Sequence, residues 1–110
     1  MTTVNDSELI LVLGATKLDF STVRQMRKQL LSVVRHQNSV RLDLRNVEVI
    51  DSAGAGLLLQ IHRVVASQHG VLRLHGVRAG VYQLLELLRL NHIFETHSVP
   101  VEPAALAIAA

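Results

Sequence analysis

The stretch Val49-Ile-Asp-Ser-Ala-Gly-Ala-Gly-Leu-Leu-Leu59 decides the fold, because it joins the end of one element to the start of the next. Its first residues are apolar and β-branched, and its leucines open a helical stripe that continues to residue 65. Asp51 and Ser52 are both residue types that cap a helix, since a side-chain oxygen can accept from the free N–H groups of the first turn. The stretch therefore predicts that a short ordered loop after a strand passes directly into a helix.

Strand and helix patterns alternate on both sides of this stretch. Short apolar runs predict four strands, at residues 9–13, 40–44, 71–74 and 93–96. Apolar residues at helical spacing predict three helices. Each is followed by a residue suited to end a helix in the left-handed backbone conformation: Asn38, Gly70 and Asn91. The alternation with short connections is typical of an α/β domain with a mostly parallel sheet, and we expect residues 1–110 to form a single domain. The alanine-rich residues 103–110 predict a small terminal helix.

Composition excludes several classes of protein. The 110 residues are 49% hydrophobic and 18% charged, as in a globular domain, and the absence of cysteine excludes disulfides and thiol chemistry. No apolar stretch is long enough to span a membrane and the N-terminus is polar, so we expect a cytoplasmic protein without direct membrane insertion. The net charge is only +2, aromatic residues are few and the basic residues are scattered along the sequence, which argues against a nucleic-acid partner.

The small residues that follow Ser52 carry the first functional signal. A glycine inside a helix costs about 1 kcal/mol relative to alanine, yet Gly54 and Gly56 both fall in the first turns of the predicted helix. They serve either internal packing or the close approach of another molecule. No phosphate-binding loop, zinc-type histidine spacing or pairing of a nucleophile with a base can be assigned, so we expect no enzymatic activity, no cofactor and no metal.

Phosphorylation of Ser52 would fit the physics of this position. A phosphate there would lie at the positive end of a helix dipole, beside free N–H groups, so the fold would tolerate it. The surface would gain about two negative charges, enough to repel a docked acidic or apolar partner. The position therefore has the properties of a switch.

The chain resembles the STAS family, specifically the single-domain anti-sigma factor antagonists of bacteria. The resemblance rests on Leu42-Asp-Leu44, on the stretch from Val49 to Leu59, on Gly70-Val-Leu-Arg-Leu74 and on Asn91-His-Ile-Phe94, and it covers nearly the whole chain. It implies a mixed sheet of about four strands with helices mainly on one face. It also implies a partner switch, in which the antagonist binds an anti-sigma factor with serine kinase activity, phosphorylation releases it and a phosphatase resets it.

The resemblance assigns roles to individual residues. Ser52 matches the phosphoacceptor and Asp51 the acidic residue before it, while Asp19 matches an aspartate of the partner-binding face. The small residues Ala53, Gly54 and Gly56 match the docking helix. Asp19, with Ser21 or Thr22, is also a suitable cap for the first helix, so the sequence leaves both roles open for it.

Two departures from the family pattern bear on partner choice. Only about eight polar residues precede Leu9, so the family's first strand is expected to be absent or very short. Thr16-Lys-Leu-Asp19 replaces the usual Gly-Glu-Leu-Asp, which places a cation where an anion is common. The alternative function within the same fold is the STAS subunit of a bacterial phospholipid ABC transporter, which binds the ATPase subunit.

Overall fold

The computed structural model describes the backbone of residues 2–4 and 8–98 and the side chains of residues 8–94. The predicted helix at residues 103–110 lies outside the described residues. Within them, strands and helices alternate in the order β1 (Thr2–Val4), β2 (Leu9–Val12), β3 (Lys17–Leu18), α1 (Val23–Val34), β4 (Ser39–Asp43), β5 (Val49–Ile50), α2 (Ser52–Ser67), β6 (Val71–Val77), α3 (Ala79–Leu87) and β7 (Glu95–Ser98). None of these helices is both long and apolar enough to cross a membrane.

The main sheet has the order β1-β2-β4-β6-β7. Every neighbouring pair is parallel except β1 and β2, so the predicted mixed, mostly parallel α/β fold is confirmed. The sheet has five strands instead of about four, because Thr2–Val4 pairs antiparallel with residues 9–11. The family's first strand is thus present and very short.

One face of the sheet is apolar and buried, whereas the other is mostly only partly buried and mixes apolar with charged side chains. Residues that pair across β2, β4 and β6 on the buried face form two apolar rows, Leu9 with Val40 and Leu72, and Leu11 with Leu42 and Leu74. The alternate positions of β4 and β6 carry Arg41 and Arg73, which are only partly buried. The buried apolar rows on one face and the partly exposed arginines on the other confirm that the helices cover mainly one face of the sheet.

Strands β3 and β5 form a separate small parallel sheet that supports the start of α2. The N–H groups of Glu48 and Val49 both donate to the Thr16 carbonyl, at 2.8 and 3.2 Å. The chain therefore leaves the main sheet after β4. Two two-residue strands, which have no detectable periodicity, fix the position of Asp51 and Ser52.

Helices α1 and α2 lie side by side and run parallel, as contacts at both ends show. At their N-terminal end, the Phe20 N–H donates to the Asp51 carboxylate at 3.0 Å. At their C-terminal end, the Gln68 amide donates to the carbonyls of Val34 and Gln37 at 3.2 and 2.9 Å, and its oxygen accepts from the His36 N–H. The N-termini of both helices therefore meet at one end of the fold.

The residues that stop the helices differ from those predicted. Left-handed backbone occurs at His36, His69 and Arg89, with φ of 68°, 63° and 60°, and not at Asn38, Gly70 or Asn91. Gly70 has another role, because a Cβ there would come within 2.6 Å of the Asn38 carbonyl oxygen. The glycine is required for close backbone packing between the segments that follow α1 and α2.

Candidate functional site: the N-terminal end of the helix pair

Asp51 organises the N-terminal end of the helix pair. It is the N-cap of α2, and one carboxylate oxygen accepts from the Gly54 N–H at 3.0 Å. The other oxygen accepts from the Phe20 N–H at 3.0 Å, which ties the loop before α1 to the start of α2. Of the two capping residues that the sequence allowed, the structure selects Asp51 and leaves Ser52 as the first residue of the helix.

Ser52 is exposed, and its side chain has no hydrogen-bond partner among the described residues. The backbone N–H groups of Ser52 and Ala53 likewise have no acceptor within the described part of the chain, as expected for the first turn of a helix. An anion attached at the Ser52 hydroxyl would lie close to these donors and to the positive end of the α2 dipole. The position is accessible to a modifying enzyme and electrostatically suited to a phosphate.

The two glycines of α2 have opposite environments. Gly54 is buried, and a Cβ there would lie 1.9 Å from the Leu18 carbonyl oxygen, so it allows α2 to pack directly on β3. Gly56 is exposed, with nothing within 4 Å of an added Cβ. Gly54 was expected in the partner-binding surface, and this expectation is corrected, because the residue is covered by the chain's own backbone. Gly56 remains available to a partner.

Asp19 lies in the loop tied to Asp51, but its carboxylate is engaged locally. It accepts from the Ser21 hydroxyl at 2.6 Å and from the Ser21 N–H at 3.0 Å. These hydrogen bonds, led by that of the Ser21 hydroxyl, hold the pKa of Asp19 below its usual value. Thr22 occupies the N-cap position of α1 without a side-chain cap bond, so Asp19 organises the turn that precedes the helix.

Phe20 is a member of the site that the sequence reasoning missed. Its side chain is 77% exposed, while its backbone N–H is held by Asp51. The available signal was an aromatic residue directly after Asp19 that falls outside the apolar stripe of α1. We call Phe20, Ser52, Ala53 and Gly56 the N-terminal surface. It combines one large apolar side chain with three small residues, a composition that suits close contact with another protein.

Among the described residues, no three His, Asp or Glu side chains are close enough together to hold a metal ion. His62 instead packs edge-on against Phe94, with ring centroids 5.6 Å apart. Asp43, a carboxylate at the end of β4, is buried and paired with Arg45 at 2.6 Å. Burial alone would raise its pKa, but hydrogen bonds from Arg45 outweigh this effect and lower it.

The fold and the site together define an α/β domain with an exposed serine at the N-terminus of its second helix. A family model described as "Mlab, STAS domain" matches residues 3–97. The chain belongs to the STAS family, as the sequence resemblance predicted. A comparison with curated proteins gave no match.

Solved structures support the same fold. An anti-sigma-factor antagonist (STAS) domain protein from Planctomyces limnophilus has a TM-score of 0.80 at 20% identity, covering 100% of this chain and 97% of its own. A sulfate transporter family protein from Wolinella succinogenes has a TM-score of 0.74 at 21% identity, covering 97% and 89%. The Bacillus cell fate determinant SpoIIAA in its phosphorylated form has a TM-score of 0.66 at 18% identity, covering 100% and 98%. These similar structures include both antagonists and a transporter-family protein.

Proposed function

We propose that this protein is an anti-sigma factor antagonist whose binding is controlled by phosphorylation of Ser52. In this proposal it is a binding protein, not an enzyme, and its partners are an anti-sigma factor with serine kinase activity and a phosphatase. The observation that carries the proposal is the exposed, unpartnered Ser52 hydroxyl on the first turn of α2. The similarity to antagonists, one of them solved in a phosphorylated form, supports it.

The proposed mechanism follows from the surroundings of Ser52. The kinase transfers the γ-phosphoryl group of ATP to the Ser52 Oγ: the Oγ–P bond forms, the bond from the γ-phosphorus to the bridging oxygen breaks, and ADP and the hydroxyl proton leave. The free N–H groups of the first turn accommodate the new anion. Asp51 continues to cap the helix, so α2 keeps its position. The N-terminal surface, whose four residues were uncharged, then carries about two negative charges beside Phe20. Continued binding would require the partner's contact face to desolvate that charge. Because this is unfavourable, the partner dissociates.

Two serines of α2 allow a controlled test. Ser52 and Ser67 are both exposed, at opposite ends of the helix. The protein is incubated with ATP and the anti-sigma factor kinase proposed as its partner, and the product is mapped by mass spectrometry. We expect phosphate on Ser52, none in Ser52→Ala, and normal modification of Ser67→Ala. Ser52→Asp should lose partner binding, whereas Ser52→Ala should bind and resist release. Modification elsewhere, or a Ser52→Asp protein that binds as tightly as the unmodified one, would contradict the proposal.

A second candidate is a STAS subunit of a bacterial phospholipid ABC transporter that binds the ATPase subunit. The similarity to a sulfate transporter family protein over 97% of this chain supports it only in that the same fold also occurs in a transporter family. In that case the N-terminal surface would bind the ATPase, and Ser52 would be a contact residue without a phosphate. Copurification with an ATPase subunit, combined with unmodified Ser52 in protein isolated from its native cell, would select this function over the switch.

A further inference from the structure

The pair of helices beside the N-terminal surface has an unusual charge distribution. Neither α1 nor α2 contains a carboxylate. The two helices and the residue after α1 carry five cations, Arg24, Arg27, Lys28, Arg35 and Arg63. Since the whole chain has a net charge of +2, the remainder has a formal charge of −3. No described residue forms an ion pair with any of the five. The basic residues scattered along the sequence are thus partly collected on these two helices.

Four of the five cations follow one side of α1. Their positions, with Leu31 between them, repeat at three- and four-residue intervals, which places them on neighbouring turns. Together they line a shallow groove of about 490 Å³, bounded by Arg24, Arg27, Lys28, Leu31, Ser32 and Arg35. At 1.5 Å per residue the stripe is roughly 16 Å long. We call these residues the α1 groove.

The stability of α1 does not explain this arrangement. Cations stabilise the C-terminal end of a helix and weaken its N-terminal end, yet Arg24 lies in the first turn, which has no acidic residue. Arg24 is also three and four residues from Arg27 and Lys28, spacings at which like charges destabilise a helix by about 0.2–0.5 kcal/mol per pair. A bound anionic partner would remove this repulsion.

We infer that the α1 groove binds an acidic segment of the protein partner. The groove follows a single helix, a shape that fits a peptide or helix lying along α1 better than it fits a flat layer of lipid headgroups. The groove begins close to the N-terminal surface, because Arg24 is four residues after Phe20, which Asp51 holds. An acidic partner also explains the direction of the proposed switch, since a phosphate on Ser52 would repel it.

This inference rests on the proposed partner-binding role, but the groove can be tested without the partner. The ¹⁵N-labelled protein is titrated at low salt with a helical peptide whose glutamates repeat at i, i+3, i+4 and i+7. Separate titrations use phosphatidylcholine–phosphatidylglycerol vesicles and a short DNA duplex. We expect the peptide to shift amide signals mainly within residues 23–35. The combined change Arg24→Gln, Arg27→Gln and Lys28→Gln should weaken its binding roughly tenfold, the sum of three exposed ion pairs.

A matched pair of single variants controls for overall charge. Arg27 and Arg89 are both exposed, but only Arg27 lines the groove. Arg27→Gln should weaken peptide binding about twofold and Arg89→Gln should leave it unchanged. Absent shifts, equal effects of the two variants, or tighter binding of vesicles or DNA than of the peptide would overturn the inference. Peptide binding at α1 without kinase action on Ser52 would support the groove and contradict only the phosphorylation switch.

Discussion

The two ends of the α1–α2 pair are each connected by one polar side chain, but the side chain accepts hydrogen bonds at one end and donates them at the other. At the N-terminal end, the Asp51 carboxylate accepts from the Gly54 N–H in the first turn of α2 and from the Phe20 N–H in the loop before α1. At the C-terminal end, the Gln68 amide donates to the carbonyl of Val34, the last residue of α1, and to that of Gln37 just after it. Helix starts leave donors free and helix ends leave acceptors free, so an acid suits one end and an amide donor the other. Each end is joined by one side chain that reaches across to the neighbouring helix.

The ends differ in what remains unpaired. At the C-terminal end, the carbonyls of Val34, Val65 and Ala66 accept from turn N–H groups. At the N-terminal end, the N–H groups of Ser52 and Ala53 have no acceptor among the described residues. The free donors thus occur where an exposed hydroxyl can carry an anion. An added negative charge is therefore favoured at the N-terminal end and disfavoured at the C-terminal end.

The largest expected change in stability comes from substituting Gly54, which lies against β3 at the N-terminal end. Gly54→Ala should lower the free energy of unfolding by about 3 kcal/mol, because its Cβ would collide with the Leu18 carbonyl and the backbone must move. Gly56→Ala is the control and should raise stability by about 0.5–1 kcal/mol, since that glycine is exposed and helical. Urea denaturation measures both. Equal effects of the two substitutions would mean that α2 does not rest on β3.

Some features of the N-terminal end could be predicted from the sequence and others could not. Asp51 was predictable because its residue type and its place before a helical stripe both indicate a cap. The contact of Gly54 was not, since its partner Leu18 lies in a two-residue strand too short for any periodic pattern. The position of Phe20 depends on a hydrogen bond to a residue 31 positions away, which no local pattern reports.

The helices and main strands were predictable because each produces a pattern within its own sequence. The apolar stripes of α1 and α2 repeat over twelve and sixteen residues, long enough for a helical period to be distinct. Strand β1 has three residues, and its pairing with β2 is a tertiary contact. The stop residues were misplaced because His36 and His69 adopt a left-handed conformation that the sequence favoured for Asn38 and Gly70.

Removing the side chain of Asp51 or of Gln68 should reduce stability by a similar amount but change hydrogen exchange at different amides. Asp51→Ala and Gln68→Ala should each lower the free energy of unfolding by about 1–2 kcal/mol, because each leaves helix-terminal groups unpaired. Only Asp51→Ala should speed hydrogen exchange at the Phe20 and Gly54 amides, which donate to its carboxylate. Unchanged exchange at Phe20 in Asp51→Ala would show that the loop before α1 is held by other contacts.

The C-terminal end should be easier to stabilise than the N-terminal end. His69 has a φ of 63°, which strains a residue with a Cβ, so His69→Gly should raise the free energy of unfolding by about 1 kcal/mol. His92, an exposed histidine without positive φ, is the control, and His92→Gly should lower stability by about 0.5 kcal/mol. Thermal unfolding of the two variants compares them. A loss of stability in both would contradict strain at His69.

The smallest effect tests the electrostatic asymmetry directly, by placing the same charge at either end of α2. Ser52→Asp should raise the free energy of unfolding by about 0.5 kcal/mol, because an anion is favoured at a helix N-terminus. Ser67→Asp should lower it by a similar amount, since Ser67 is the last residue of the helix and its hydroxyl also donates to the Val64 carbonyl at 2.7 Å. Both effects should shrink in high salt, where exposed charges are screened. Urea denaturation at low and high salt measures the difference between the two variants. If Ser52→Asp destabilises the protein as much as Ser67→Asp does, the start of α2 does not favour an anion, and a phosphate on Ser52 would act by unfolding the helix instead of by changing its surface.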